Sequence, residues 1–80
     1  MRVRLKSEQF PALEQWRAMF KSSVHFSHIC GVLDVMYNVL SVNANTCGFE
    51  SVRYGFYECT IIMQRQSHYD WVLDIHYDRK

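Results

Sequence analysis

The sequence predicts an α+β fold in the order β-α-α-β-β, with two helices packed on one face of a small, mainly antiparallel sheet. Residues 11–42 carry apolar residues at helical spacing, whereas the flanking regions alternate between apolar and polar residues as strands do. Strands and helices are thus segregated along the chain, which is typical of the α+β class. The 80 residues contain no linker or internal repeat and predict a single compact domain over residues 1–80.

Composition narrows the class of protein. Apolar residues make up 49% of the chain, which is too many for a disordered protein. The formal charge of +1 gives no general attraction to nucleic acid or to an anionic membrane. Three cysteines without a CxxC pair predict reduced thiols, and the basic start lacks the apolar run of a signal peptide. We therefore expect an intracellular, cytoplasmic protein without a cofactor.

The first strand and the first helix come from the residues before position 25. Residues 1–6 alternate basic and apolar side chains, which predicts a short strand. Pro11 suits the first turn of a helix, where its missing N–H is no loss. Leu13, Trp16, Phe20 and Val24 follow at helical spacing, so the first helix is predicted over residues 11–22.

The second helix is predicted over residues 26–42 from two neighbouring apolar stripes. One stripe comprises Phe26, Ile29, Cys30, Leu33, Met36, Tyr37 and Leu40. The other consists of valines at positions 32, 35, 39 and 42. Valine lowers helix propensity, so a strand over residues 32–42 remains an alternative.

The C-terminal half predicts strands separated by turns. Residues 43–48 (NANTCG) form a loop, and residues 51–56 and 57–65 are one long strand bent at Gly55 or two strands. A turn at residues 66–68 precedes a final strand at 69–77. This strand lies within HYDWVLDIHYD, which places tyrosine, tryptophan, leucine and isoleucine on one face and acids and histidines on the other.

Two sets of residues are candidates for a metal site or for acid–base chemistry. Asp74, His76 and Asp78 share one face of the last strand, where they could bind a divalent ion or position a general base. The alternative is an ordinary solvent-facing side of an antiparallel sheet. His25 and His28, at the start of the second helix, are spaced so that they could bind zinc or another transition metal, with Cys47 or Cys59 completing the ligand set. Its alternative is a capping turn beside a buried Cys30.

A third set of residues predicts a surface for nucleic acid. Residues 53–59, RYGFYEC, resemble the third strand of the RNA-recognition motif in Tyr54, Gly55 and Phe56, the position where that family stacks bases on aromatic rings. The order departs from that family, since a strand follows where its fold has a helix. Together with Arg2, Arg4 and Lys6, Arg53 and these aromatic residues could bind phosphates and bases. The alternative is aromatic packing within the sheet.

The apolar surplus of the helices predicts a protein interface. Either the first helix covers the valine stripe of the second, or the stripe is exposed for a partner. The predicted contact residues are Trp16, Phe20, Val35 and Val39, with Arg17 and Lys21 as charges at the rim.

The leading hypothesis is a small regulator or inhibitor that acts through contact with a protein and has no catalysis of its own. A homodimer is one form of this hypothesis. Compact chains of this size are common among modulators encoded by viruses and mobile elements. A nucleic-acid-binding module is the second hypothesis, and a metal-binding domain is the third.

Overall fold

The computed structural model describes residues 1–42, 44, 48–54 and 57–79, with the backbone alone for residues 48–52, 54, 57 and 79. The elements are β1 (Arg2–Lys6), α1 (Leu13–Met19), α2 (Phe26–Val42), β2 (Gly48–Tyr54), β3 (Tyr57–Ser67) and β4 (Asp70–Arg79). The predicted α+β class is confirmed. The region after α2 forms two antiparallel strands rather than one bent strand, and a third follows. Gly55, the predicted bend, lies outside the described residues.

The four strands form one antiparallel sheet in the order β1-β4-β3-β2. The hairpin of β3 and β4 occupies the centre, with an irregularity in register between Arg65 and Ser67. The first strand of the chain pairs with the last, so that Arg2 lies opposite Asp74 and Lys6 opposite Asp70. Strands β1 and β2 therefore lie at opposite edges of the sheet.

Helix α1 is shorter than predicted at both ends. Pro11 precedes the helix instead of lying in its first turn, and the N–H of Ala12 donates to Oε1 of Gln15 at 2.7 Å. At the other end, the N–H of Phe20 donates to the carbonyl of Arg17, a tightened turn that ends the helix. Since the helical repeat stops there, Val24 does not continue the apolar stripe and is 94% exposed.

Helix α2 has the predicted bounds, and the alternative of a strand over residues 32–42 is wrong. Its first stripe packs on the sheet, with Ile29, Leu33, Met36 and Leu40 buried. The local 3.6-residue period thus outweighs the low helix propensity of valine, because burial of this stripe contributes more than propensity costs.

Strand β4 has the predicted core face from Trp71 to Tyr77, whereas Tyr69, predicted on the same face, precedes the strand and is 55% exposed. Trp71, Leu73 and Ile75 are buried against the helices, and Tyr77 packs at the margin of the same core. The opposite face is only partly exposed, because Val72 and Asp70 are also buried there. Neither described helix combines the length and hydropathy needed to cross a lipid bilayer.

Candidate interaction surface on the second helix

Three valines of α2 form an exposed apolar surface, which we call the valine flank. Val35 is 67% exposed, Val39 39% and Val42 84%. Their spacing of four and three residues places them on one face of the helix. Val32, the fourth valine of the predicted stripe, is buried against the sheet. The valine stripe therefore begins in the core and emerges on the surface.

Helix α1 does not cover the valine flank, because it packs against a different side of α2. The guanidinium of Arg17 on α1 pairs with the carboxylate of Asp34. The hydroxyl of Tyr37 donates to the carbonyl of Pro11, just before α1, at 3.1 Å. At about 100° per residue, Val35 and Val39 lie nearly opposite Tyr37 around the helix axis. Of the two alternatives for the valine stripe, the structure thus favours exposure.

The valine flank is uncharged and has a gap at its N-terminal end. Asp34 is the only acidic residue of α2, which has no lysine or arginine, and it points towards Arg17. Gly31 precedes Val35 by one helical turn, and a Cβ atom added to it would meet nothing within 4 Å among the described residues. The flank therefore has room for close approach by another backbone.

The structure buries some of the predicted partner-binding residues and exposes others. Trp16 is 0% and Phe20 1% exposed, so the prediction that these two aromatic residues contact a partner is wrong. Both belong to the hydrophobic core, Trp16 from within α1 and Phe20 from the residue that ends the helix. Arg17 also binds Glu14 at 3.1 Å, so its charge is engaged within the molecule instead of at a rim. Val35 and Val39 are exposed as predicted, and Lys21 is exposed after the end of α1.

The predicted nucleic-acid residues lie at two opposite edges of the sheet. Arg2 and Arg4 lie on β1 at one edge of the sheet, and Arg53 lies on β2 at the other. Two strands separate them, so the edges are about 14 Å apart at roughly 4.8 Å per strand. Only the backbone of Tyr54 is described, and Phe56 lies outside the described residues.

Asp70 of β4 also pairs with two basic residues of β1. Nε of Arg4 and Nζ of Lys6 lie 3.4 and 3.3 Å from Oδ1 of Asp70. Asp70 is 8% exposed, so these pairs are partly shielded from water. Arg4 reaches Asp70 from its position opposite Val72.

The last-strand metal candidates form a pair and not a cluster. Nε2 of His76 lies 3.4 Å from Oδ2 of Asp74, whose other oxygen is 3.6 Å from the N-terminal amine. Asp78 is exposed further along the strand. In the part of the chain that the structure describes, no group of three histidine, cysteine or acidic side chains could hold a metal ion.

His25 and His28 instead pack on the ring of Tyr77. Their ring centroids lie 5.6 and 5.2 Å from that of Tyr77. Nε2 of His28 is 4.0 Å from Sγ of Cys59, whereas Cys47 lies outside the described residues. The two histidines thereby attach the start of α2 to the sheet, which adds a packing role to the predicted capping turn.

Burial makes the groups beside these histidines poor reactants. Desolvation raises the pKa of the Cys59 thiol, so the reactive thiolate is disfavoured at neutral pH. Burial, with a smaller contribution from Cys59, raises the pKa of Tyr77 to about 12. The Tyr77 hydroxyl is buried and has no hydrogen-bond partner among the described residues. A nucleophilic Cys–His pair finds no support in this arrangement.

Several contacts that position these groups are missing from the sequence predictions. Arg65 lies over the ring of Trp71 at 4.7 Å, and the indole N–H of Trp71 donates to the carbonyl of Ser7 at 2.8 Å. The contact between Trp71 and Ser7, like the pairs of Asp70, joins residues far apart in the chain. Strand alternation alone carries no signal for them, since it specifies a face and not a neighbour.

Comparison with known proteins identifies no relative, because no family model, curated protein or solved structure matches the chain significantly. Support for the candidate site therefore comes from the geometry of the described residues alone.

Proposed function

We propose that this chain is a protein-binding module that acts as a regulator or inhibitor through contact at the valine flank, without catalysis of its own. The observation that carries this proposal is the exposure of Val35, Val39 and Val42 on one face of α2, at 67, 39 and 84%. Contiguous apolar surface with polar surroundings is typical of interaction sites.

Helix propensity strengthens the proposal. Valine is among the poorer helix formers, and its rigid β-branched side chain has no packing reward where it is exposed. Alanine, glutamate or lysine at positions 35 and 42 would favour both the helix and its solvation. Valine at these positions is explained if a partner covers it. Burial of its apolar surface then stabilises the complex by roughly 25 cal/mol per Å².

The two other functions receive less support. A nucleic-acid module would need Arg4 and Lys6 free for phosphate, but both lie within ion-pair distance of Asp70. A metal-binding domain would need three or more converging ligands, and the described residues offer no such group. Both remain predictions, testable by binding to single-stranded RNA at low salt and by metal analysis of the purified protein.

The proposal is tested by site-specific photocrosslinking in cells that express the chain. A photoreactive benzoylphenylalanine at position 35 is compared with the same residue at position 24, where the native valine is 94% exposed but lies outside α2. We expect a discrete crosslinked protein species from position 35 and none from position 24. Equal labelling from both positions, or none from either, would contradict the proposal.

A matched substitution tests the same surface without a probe. The double variant Val35→Lys/Val39→Lys should lose the crosslinked complex in a co-purification assay, because two charges would be buried in an apolar interface. Val24→Lys serves as the control for added positive charge. Circular dichroism should show that both variants keep the helical content of the unmodified protein.

A further inference from the structure

We propose that the partner of the valine flank is a second copy of this chain, and that the two α2 helices pack antiparallel about a two-fold axis at Val35. This inference rests on the proposed function and specifies its partner.

Because the valine flank is uncharged, it favours a partner with an identical, uncharged surface over a charged partner. The single acidic residue of α2, Asp34, directly precedes Val35 but is paired with Arg17 of its own chain. A strongly acidic or basic partner would therefore find no opposite charge on the flank. A second valine flank buries the same apolar surface and leaves no charge unpaired.

The spacing of Gly31, Val35 and Val39 makes this face complementary to itself. Gly31 and Val39 each lie four residues from Val35, on a single i±4 ridge of the helix. In an antiparallel pair centred on Val35, residue 31 of one copy faces residue 39 of the other. The open space beside Gly31 then receives the side chain of Val39 from the second copy.

A two-fold arrangement also closes the assembly. The same patch is used on both copies, so no unpaired valine flank remains to recruit further copies. Antiparallel α2 helices place opposite ends of their dipoles side by side, which is favourable. The contact comprises Gly31 and three valines, far fewer than the roughly 20–30 residues per partner of a standard interface, so we expect a weak dimer.

The first experiment is sedimentation velocity of the full chain over a range of concentrations. We expect reversible monomer–dimer exchange, and we expect Val35→Lys to weaken it about tenfold or more, as for a residue at the centre of an interface. The matched control Val24→Lys should dimerise like the unmodified protein. A monomer at every concentration, or equal weakening by the two variants, would overturn the inference.

A side-chain exchange tests the antiparallel geometry. Gly31→Val alone should weaken the dimer by crowding Val39 of the other copy, and Val39→Gly alone should weaken it by leaving a gap. The double variant Gly31→Val/Val39→Gly restores one large and one small residue at each contact, so we expect its dimer affinity to recover most of the loss. A double variant as weak as the two losses combined would overturn the antiparallel arrangement.

Disulfide trapping provides a readout that does not depend on these substitutions. Val35→Cys should form a dimer between copies under mild oxidation, because the two residues meet on the axis, whereas Val24→Cys should not. The unmodified protein controls for its native thiols. If the chain stays monomeric and Val35→Cys does not crosslink, the second-copy inference fails. The proposed function still stands in that case if position 35 crosslinks a different protein in cells.

Discussion

At the scale of single residues, Tyr77 combines a packed aromatic ring with a hydroxyl that lacks a hydrogen-bond partner among the described residues. Its ring packs between the core and two histidines, while its hydroxyl is buried without a hydrogen-bond partner among the described residues. A buried polar group in this state costs roughly 1–3 kcal/mol compared with a bonded one. The ring therefore contributes packing, and the hydroxyl opposes it.

We predict that Tyr77→Phe leaves the protein as stable as before or raises its free energy of unfolding by about 1 kcal/mol at neutral pH. The variant keeps the ring and removes only the oxygen. Urea denaturation measures the change, with Tyr69→Phe, at a 55% exposed tyrosine, as a control that should change little. A large loss of stability would mean that the hydroxyl has a stabilising partner.

The raised pKa of Tyr77 also predicts a dependence of stability on alkaline pH. The tyrosine ionises near pH 10 in the unfolded chain and at about 12 in the folded protein. Its contribution is therefore complete below pH 10 and is lost as pH rises from about 10 to 12, since the unfolded state releases the proton first. The free energy of unfolding of the unmodified protein should fall more steeply over this range than that of Tyr77→Phe. Parallel curves would show that Tyr77 is solvated.

At the scale of elements, strand β4 separates the apolar and the charged residues of HYDWVLDIHYD onto its two faces. Leu73 is 0% exposed, and the nearby His76 lies on the opposite face with a side chain about half exposed. Asp70, Asp74 and His76 have charged neighbours that belong to the sheet itself. The stretch is thus a strand with a core face and a charge-paired face.

We predict that Leu73→Ala lowers the free energy of unfolding by roughly 2–5 kcal/mol, because it opens a cavity in the centre of the core. His76→Ala, three residues further along β4, should change it by no more than about 0.5 kcal/mol. Thermal or chemical denaturation of the two variants gives the comparison. Similar losses would show that the histidine face of β4 has a larger structural role than its exposure indicates.

Helix α2 allows a matched comparison between a buried and an exposed valine. Val32→Ala should lower the free energy of unfolding by roughly 1–3 kcal/mol through lost packing. Val35→Ala should raise it by about 0.5 kcal/mol in dilute solution, because alanine is the better helix former. The same Val35→Ala variant should weaken association. If it destabilises the dilute protein instead, Val35 packs within its own chain.

At the scale of the whole molecule, association and stability should be linked. A partner that binds only the folded chain raises the apparent stability as its concentration increases. We therefore predict that the melting temperature of the unmodified protein rises with protein concentration, whereas that of Val35→Lys does not. Differential scanning calorimetry at several concentrations measures both. A concentration-independent melting temperature for the unmodified protein would contradict a second copy as partner.

The topology makes the two ends of the chain depend on each other. Strand β1 forms its pairs with β4, and the backbones of Met1 and Ile75 exchange two hydrogen bonds of 2.7 Å. The indole N–H of Trp71 also donates to the carbonyl of Ser7, so a second contact joins the start of the chain to β4. Arg4 and Lys6 pair with Asp70, and the N-terminal amine pairs with Asp74, so charges at the start of the chain have a structural role.

Local periodicity in the sequence by itself determined the class of fold, the bounds of α2 and the core face of β4. Such patterns involve residues that are close in the chain, and the same periods describe their neighbours in space. The stripe from Ile29 to Leu40 and the alternation from Trp71 to Ile75 needed no information from elsewhere. The exposed valines were also visible as a second stripe, although their exposure was not.

Only the tertiary structure decided which of these apolar surfaces is covered. Trp16 and Val35 both lie on apolar faces of predicted helices, yet one is buried and the other exposed because α1 packs on the Tyr37 side of α2. Likewise, Arg4 pairs with Asp70 because β1 lies beside β4. Strand order and helix placement arise from contacts between distant segments, whose energies no local period records. The valine flank is therefore a product of the sequence of α2 and of the position of α1.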